Sequence, residues 1–273
     1  MTALPAIGAP ATRALAAVGV RTLEDLRGRE LAQLATLHGV GPKAIRLLTE
    51  ACASSSADVV ASYSARADEY AELFGSMSSV HPSDERLVSS WARSVEGRLL
   101  DAGCGPGQWT AHLAGLGLDA SGVDRVPAFV ELARRAHPEV SFAVGDLDAL
   151  EEGDGSLGGV LAWYSLIHHQ PSALPRALAE FARVLRPGGT LLVGFFTGSE
   201  VEAFEHAITT AYRWPPEALA DKLRAAGFNI LETHTRTGQT PGPRPHGAIL
   251  ARRSSGASAR HPETTSSASS EPG

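Results

Sequence analysis

The sequence lacks the features that would place it in a membrane or in an oxidising compartment. No apolar run approaches the roughly 18 residues that a membrane span needs, and no basic segment followed by an apolar core marks a signal peptide. The only cysteines among 273 residues are Cys52 and Cys104, which lie in different predicted segments. They support neither a disulfide nor a metal site. We therefore expect a cytoplasmic protein with no membrane contact and with two buried thiols.

Basic residues are outnumbered by acidic ones. The chain has 24 Lys and Arg against 30 Asp and Glu, which gives a formal net charge of -6. This balance argues against a chain-wide attraction to nucleic acid or to an anionic membrane. A hydrophobic content of 43 % fits a globular protein, and the length allows one sizeable domain and a small one.

The chain divides by composition. Residues 1–50 hold short helical patterns, residues 51–57 resemble a linker, and the Ser- and Thr-rich residues 254–273 predict a disordered tail. Residues 58–253 alternate strand-like runs with helical patterns, which predicts an α/β fold, a mostly parallel sheet with helices on both faces. The predicted strands are 98–102, 119–123, 140–144, 159–164, 190–196, 229–237 and 246–252, and the last two can form an antiparallel hairpin at the sheet edge.

An acid and three evenly spaced glycines follow the first predicted strand. After Asp101 come Gly103, Gly105 and Gly107, and then a helical pattern. A strand, a glycine turn and a helix in that order make a nucleotide cofactor site. A dinucleotide fingerprint has glycines at relative positions 1, 3 and 6, whereas here they fall at 1, 3 and 5. The pattern is similar to motif I of the class I S-adenosylmethionine-dependent methyltransferases, (D/E)xGxGxG, without a departure.

The resemblance extends over about residues 58–253. The LxPGG turn at 185–189 is similar to the one before the fifth strand in that family. The resemblance implies a Rossmann-like sheet of seven strands that binds S-adenosylmethionine and transfers its methyl group. The stretch after the fourth predicted strand has neither the (D/N/S)PP(Y/F) box of base-amino methylation nor a cysteine for cytosine methylation. The remaining match is the ubiquinone-biosynthesis-like branch, which acts on small molecules.

The resemblance also implies roles for individual residues at the cofactor site. Asp101 would orient the methionine end of S-adenosylmethionine, and Asp124 would bind its ribose. Asp146 and the amide of Leu147 would bind its adenine. Asp124 suits an NAD-binding fold equally, and it does not discriminate between the two. Tyr63 lies in a segment that caps the cofactor in the family, although core packing explains it as well. The predicted cofactor-binding residues are Asp101, Gly103, Gly105, Gly107, Asp124, Asp146, Leu147 and Tyr63.

Candidate catalytic and acceptor residues follow the fourth and fifth predicted strands. His168 or His169 can take a proton from a hydroxyl or amine near neutral pH, or both can simply line the loop. The family places acceptor contacts between the fifth and sixth strands. The predicted acceptor-binding residues are Tyr164, Tyr212, Arg213 and Trp214, and the last three suit a packing motif at a helix start equally well.

Residues 1–50 form a separate pattern. Two similar segments, 4–8 and 37–41, each lead into a helical pattern, and they resemble a tandem helix-hairpin-helix unit. In that family the hairpin amides hold a nucleic-acid phosphate, here aided by Lys43 and Arg46. With six basic and four acidic residues in this region, the electrostatic footprint is thin. Two alternatives therefore stay open: a small helical packing module, or a weak DNA contact that guides a nucleic-acid-associated methyltransferase.

Overall fold

The computed structural model describes residues 4–26, 29, 31–206, 208–236 and 245–255. Among them, no helix combines the length and the apolar character that a membrane crossing needs. The helices are α1 (Ala9–Ala17), α2 (Leu31–Leu34), α3 (Pro42–Ser64), α4 (Ala67–Phe74), α5 (Pro82–Arg93), α6 (Gln108–Gly115), α7 (Pro127–Ala136), α8 (Leu174–Val184) and α9 (Pro216–Ala225), with short 3-10 helices at Glu24–Leu26 and Met77–Ser79. The strands are β1 (Leu99–Ala102), β2 (Ala120–Asp124), β3 (Ser141–Val144), β4 (Leu157–Trp163), β5 (Leu185–Thr197), β6 (Glu202–Glu205), β7 (Thr210–Trp214), β8 (Phe228–Arg236) and β9 (His246–Arg253).

Five parallel strands in the order β3-β2-β1-β4-β5 form the centre of one sheet. Strands β1 and β4 are apolar runs, and nearly all of their residues are buried. Such runs are typical of parallel strands covered on both faces. The α/β prediction is confirmed. The order reverses between β1 and β4, and in open sheets of this type ligands bind at that point, beyond the carboxyl ends of the strands.

Strands β8 and β9 form the predicted antiparallel hairpin. Strand β9 lies between β8 and β5, and it pairs antiparallel with β5 from Thr190 opposite Arg252 to Phe196 opposite His246. The predicted end of β8 at residue 237 lies outside the described residues. This arrangement brings the start of β9 next to the end of β5, at the same edge of the sheet as the glycine turn.

Within the described residues the sheet has nine strands, so the prediction of seven is wrong. The two additional strands, β6 and β7, form an antiparallel pair between β5 and α9. Strand β7 also pairs with Phe196 and Thr197 at the end of β5. Phe196 pairs with His246 of β9 on the other side of β5. Strand β7 therefore lies on the same side of β5 as β4, and it extends the sheet beyond the end of β4.

The N-terminal residues pack around their own apolar core. Leu15 and Leu48 are fully buried in it, together with side chains from the segments between α1 and α3. Helix α3 then continues to Ser64, so residues 51–57, predicted as a linker, have a helical backbone, and the predicted domain boundaries stay a prediction. The segment after Pro42 contains neither glycine nor proline and is rich in alanine, which favours an uninterrupted helix. Residues 256–273 of the predicted tail lie outside the described part of the chain.

Candidate functional site

A cavity of about 1380 Å³ opens beyond the carboxyl ends of β1, β2 and β4. Helices α3 and α4 close part of its other side, and Leu26 and Leu31 of the N-terminal segment also line it. Pockets for one small molecule usually measure about 300–1,000 Å³. The cavity is therefore large enough for a nucleoside-sized cofactor and a second small molecule.

The glycine turn after β1 forms part of the cavity wall. Gly103, Gly105 and Gly107 all have positive φ angles, of 84°, 54° and 90°, which side chains rarely tolerate. No protein atom lies within 4 Å of a Cβ built on Gly105, so the backbone there faces open space. Gly107 differs, since a Cβ on it would lie 2.8 Å from Ala133. Gly107 is not among the residues that line the cavity and packs against Ala133, so its predicted contact with the cofactor stays a prediction.

Asp124 ties the glycine turn to the end of β2. One carboxylate oxygen accepts a hydrogen bond from the amide of Gly105 at 2.9 Å, and the other accepts from the amide of Val126 at 2.8 Å. Burial raises the pKa of this carboxyl group, against the two amide hydrogen bonds that lower it. Each oxygen keeps a further lone pair, and Asp124 lines the cavity. It can therefore accept hydrogen bonds from two hydroxyl groups of a ligand.

Asp101 at the end of β1 is the most deeply buried acid of the site. Its side chain is 2 % exposed and accepts a hydrogen bond from the Thr110 hydroxyl at 2.7 Å. Burial raises its pKa to about 7, with a smaller contribution from the charge of Asp124. Near neutral pH both the protonated and the ionised form of this carboxyl group are therefore populated, and a cation bound beside it would favour the ionised form.

Asp146 and Leu147 lie at the far side of the cavity, after β3. Asp146 accepts hydrogen bonds from Arg125 at 2.7 Å and from the amide of Asp148 at 3.0 Å. Burial acts to raise the pKa of Asp146, but these two partners prevail and lower it. Both Asp146 and Leu147 line the cavity, so their position agrees with a role in cofactor binding.

His168 is held in one tautomer by its neighbours. Its Nδ1 lies 2.7 Å from the carbonyl oxygen of Thr210, and a carbonyl can only accept, so Nδ1 carries the proton. Its Nε2 then accepts from the hydroxyl of Tyr63 at 2.7 Å. Burial lowers the pKa of His168, more than the Thr210 hydrogen bond raises it. The ring is thus a neutral base with its lone pair on the cavity side.

The neighbouring His169 lies apart from that arrangement. Its Nε2 is 3.4 Å from a carboxylate oxygen of Asp148, and its side chain is only 8 % exposed. Its ring lines the cavity beside the loop that follows β3. The two histidines therefore occupy different parts of the site, and His168 is the better placed to act as a base.

Tyr63 meets His168 from the last turn of α3. Its ring also packs edge-on against Tyr70 and Phe129, with centroids 5.6 Å and 5.5 Å away. Burial raises the pKa of its hydroxyl group well above the ordinary value, so the group stays protonated and donates. Tyr63 lines the cavity, and its polar contact in this structure is to Nε2 of His168. Its role in capping the cofactor stays a prediction.

Three of the four predicted acceptor residues point elsewhere. Tyr212, Arg213 and Trp214 lie on β7 and do not line the cavity. Trp214 is buried in the core beside Leu219, and Arg213 pairs with Glu202 at 2.9 Å. Strand pairing places these three residues in the sheet and not at a helix start, and their predicted contact with the acceptor stays a prediction. Tyr164 does line the cavity, and its hydroxyl lies 2.5 Å from Nδ1 of His246.

Several cavity residues were not predicted from the sequence. Phe196 lies one residue before the end of β5, His206 lies in the turn between β6 and β7, and His246 opens β9. Arg236 and Asp84 also line the cavity and form an ion pair at 2.8 Å. Phe196 had a detectable signal because it lies near the end of a parallel strand, where sites of this kind form. His206, Arg236 and His246 depend on the antiparallel additions to the sheet, whose register no local pattern reveals, and Asp84 lies on α5.

Comparisons with known proteins agree with this architecture. Residues 99–189 match the family model described as "Methyltransferase domain". The malonyl-[acyl-carrier protein] O-methyltransferase of Serratia marcescens is 32% identical over 108 residues, which is 40% of this chain and 42% of that protein. The O-methyltransferase cnsE of Penicillium expansum is 33% identical over 152 residues, 49% of this chain and 52% of that protein. The chain thus spans about half the length of the curated relatives it matches.

A solved structure extends the likeness to the fold. The Burkholderia thailandensis 1,6-didemethyltoxoflavin-N1-methyltransferase aligns with a TM-score of 0.61 over 74% of this chain and 89% of that chain, at 23% sequence identity. A Methanosarcina mazei protein described as a SAM-dependent methyltransferase aligns with a TM-score of 0.55, covering 64% of this chain and 98% of that one. Residues 99–189 therefore match a methyltransferase domain, and the described chain shares the Rossmann-like fold of these solved structures.

Proposed function

We propose that this protein is an S-adenosylmethionine-dependent methyltransferase that acts on a small-molecule nucleophile. One observation supports this above all: a single cavity brings together the glycine turn, the buried acids Asp101 and Asp124, and the neutral base His168. Asp101 lies on β1 and Asp124 ends β2, whereas the base follows β4 on the other side of β1. A donor and an acceptor can therefore lie side by side in the cavity.

The residues present fit such a cofactor. The open space beside Gly105 admits a ligand close to the backbone, and the two lone pairs of Asp124 suit neighbouring hydroxyl groups. Buried oxygens of Gln108 and Ser165 line the same cavity and have no hydrogen-bond partner among the described residues. Buried polar atoms of this kind usually find a partner in the functional state. Asp101, Asp124, Asp146 and Leu147 would hold the cofactor in this proposal.

When bound, S-adenosylmethionine supplies an activated methyl group on a sulfonium that is already a good leaving group. The chain then contributes alignment, exclusion of water and a base. His168 takes the proton of the acceptor on Nε2, while the Thr210 carbonyl holds the ring and stabilises the charge it gains. Since burial keeps His168 neutral, the base is ready at neutral pH.

A calorimetric titration of the full chain tests this proposal. We expect S-adenosylmethionine to bind with a micromolar Kd and NADH not to bind. Asp124→Ala should weaken the binding at least tenfold, because a hydrogen bond to a charged group contributes about 1.5–3 kcal/mol. Binding of NADH in place of S-adenosylmethionine would show that the glycine turn serves an oxidoreductase.

The finer expectations for the N-terminal residues and for localisation stay predictions. Residues 4–50 include Leu26 and Leu31, which line the same cavity, and this favours a part in the small-molecule site over a part in nucleic-acid binding. The helix-hairpin-helix and nucleic-acid hypothesis is tested with Lys43→Glu in the full chain. The nucleic-acid hypothesis would be supported if the unmodified chain bound a DNA duplex with a salt-dependent affinity and this substitution abolished the binding. Cytoplasmic localisation rests on composition alone.

A further inference from the structure

One side of the cavity is a continuous surface of aromatic rings, which we call the aromatic wall. The Phe196 ring lies 5.1 Å from Tyr164, 5.6 Å from His246 and 6.0 Å from His206, between centroids. His206 in turn lies 5.5 Å from His168. All members of the wall line the cavity. They are Trp163, Tyr164, His168, Phe196, His206 and His246.

The aromatic wall lies on the opposite side of the sheet centre from the residues proposed for the cofactor. Asp124 ends β2, whereas Tyr164 follows β4 and Phe196 lies near the end of β5. The strand order β2-β1-β4-β5 separates these positions by up to three strand spacings, or roughly 14 Å. The wall therefore borders the space that remains for a second molecule.

The surroundings of the wall carry little net charge. Arg236 pairs with Asp84 at 2.8 Å beside Tyr164, and Arg66 pairs with Glu69 at 2.9 Å on the helical side of the cavity. Burial lowers the pKa of His168, which keeps this member of the wall neutral. Because both arginines are already paired, neither offers an unpaired opposite charge to a charged ligand that loses its hydration against the wall.

Tyr164, a member of the wall, is held in a costly backbone conformation. Its φ angle is 58°, and it is the one residue other than glycine with a positive φ in the described ranges. Conformations of this kind in a bulky residue persist where the surroundings enforce them, often at ligand sites. The Tyr164 hydroxyl lies 2.5 Å from Nδ1 of His246. Its ring is thus fixed at both ends as a rigid face for a ligand.

The polar groups of the wall define how a molecule would lie on it. At one end Nε2 of His168 holds a lone pair, at present paired with the Tyr63 hydroxyl. Between His168 and Tyr164 stand the rings of Phe196 and His206. Aromatic rings favour flat aromatic partners in offset or edge-on contact. A flat ring with a hydroxyl group toward His168 satisfies both features.

We infer that the methyl acceptor is an uncharged, planar aromatic molecule with a hydroxyl group, bound against the aromatic wall. The inference rests on the proposed function. In the reaction the hydroxyl oxygen forms a bond to the methyl carbon, the carbon–sulfur bond breaks with its electron pair going to sulfur, and the proton goes to Nε2 of His168. The acceptor hydroxyl takes the place of the Tyr63 hydroxyl on that nitrogen.

The test compares two probes with the same carbon skeleton. 2-Naphthol is planar and aromatic, and decahydro-2-naphthol is its saturated counterpart. Each is titrated into the full chain in the presence of saturating S-adenosylhomocysteine, and binding is followed by ligand-observed NMR. We expect 2-naphthol to bind at least about tenfold more tightly, since stacking adds to the burial of apolar area that both probes share.

Two variants locate the preference. Phe196→Leu removes the central ring of the wall but keeps an apolar side chain, and it should reduce the preference to within about threefold. Phe74→Leu removes a half-exposed ring from the α4 side of the same cavity, and it should leave the preference unchanged. If Phe196→Leu fails to fold, the ratio of the two probes in the unmodified chain still decides.

The outcomes separate this inference from the proposed function. If S-adenosylhomocysteine itself does not bind, the proposed function fails. If it binds, but 2-naphthol shows no preference over its saturated counterpart or does not bind, the inference about the acceptor is wrong. The inference is equally wrong if Phe74→Leu removes the preference as strongly as Phe196→Leu does.

Discussion

The pKa of Asp101 predicts that cofactor binding depends on pH. The carboxyl group has a pKa of about 7 in the empty site because it is buried, and only its ionised form attracts the cationic methionine end of S-adenosylmethionine. The apparent Kd should then rise in proportion to 1 + 10^(pKa − pH). From pH 8 to pH 6 the expected weakening is about tenfold, or about 1.4 kcal/mol.

The measurement is calorimetry at several pH values, each in two buffers with different ionisation enthalpies. At pH 6 close to one proton should be released for each cofactor bound, and at pH 8 the release from Asp101 should be nearly zero. Asp101→Asn should remove the release at pH 6 and weaken binding at pH 8. A Kd that stays constant from pH 6 to pH 8 in the unmodified chain would refute the reasoning.

Thr110→Val provides a matched variant. The Thr110 hydroxyl donates to the Asp101 carboxylate at 2.7 Å and thereby lowers its pKa. Valine has nearly the same shape but cannot donate, so the pKa should rise and the pH dependence should move to higher pH. If Thr110→Val moved the transition to lower pH, the Thr110 hydrogen bond would not be what lowers the pKa of Asp101.

Four further predictions follow from the structure. Between about pH 4 and pH 7 Asp101 is protonated in the folded chain and ionised in the unfolded chain, so the free energy of unfolding falls as pH rises through this range. Asp101→Asn should therefore raise the Tm of the cofactor-free chain at pH 8, and an unchanged Tm would contradict this. The pKa of His168 is lower in the folded chain than in the unfolded chain, so below about pH 6.5 the unfolded chain binds a proton that the folded chain does not, and stability falls. His168→Gln should reduce this loss of unfolding free energy, measured in urea between pH 7 and pH 5. Nitrogen NMR should show His168 neutral at pH 6.5 with its proton on Nδ1; a proton on Nε2 would exclude it as the base in this geometry. Trp214→Ala should lower the unfolding free energy by about 3–5 kcal/mol and leave the Kd for S-adenosylmethionine within about twofold. A large loss of affinity would indicate that Trp214 contributes to the binding site.

The sequence predicted the parts of the site that local patterns encode. The acid and glycine spacing after β1 and the acids at the ends of β2 and β3 are short-range features, and the structure brings them to one cavity. The roles of Asp124, Asp146 and Leu147 in holding a cofactor stay predictions. What the glycine pattern could not show is that Gly107 packs against Ala133 rather than facing the cavity, since that contact comes from a separate helix.

The acceptor side shows where sequence reasoning ends. The residues from Tyr212 to Trp214 look like exposed aromatics beside an arginine, but pairing of β7 with β6 and β5 turns Trp214 into the core. Conversely, His246 joins the site only because β9 pairs with β5 in a register that places it opposite Phe196. Pairing between strands that are distant in the chain decides where His246 lies, and hydrophobic periodicity carries no information about such pairing.

A crystal structure of the full chain with S-adenosylhomocysteine tests the central claim most directly. We expect the ribose hydroxyls at the Asp124 carboxylate, the adenine beside Asp146 and Leu147, and the sulfur facing the aromatic wall near His168. The ligand at any other surface, or in the cavity with its adenine against the aromatic wall, would contradict the proposed site.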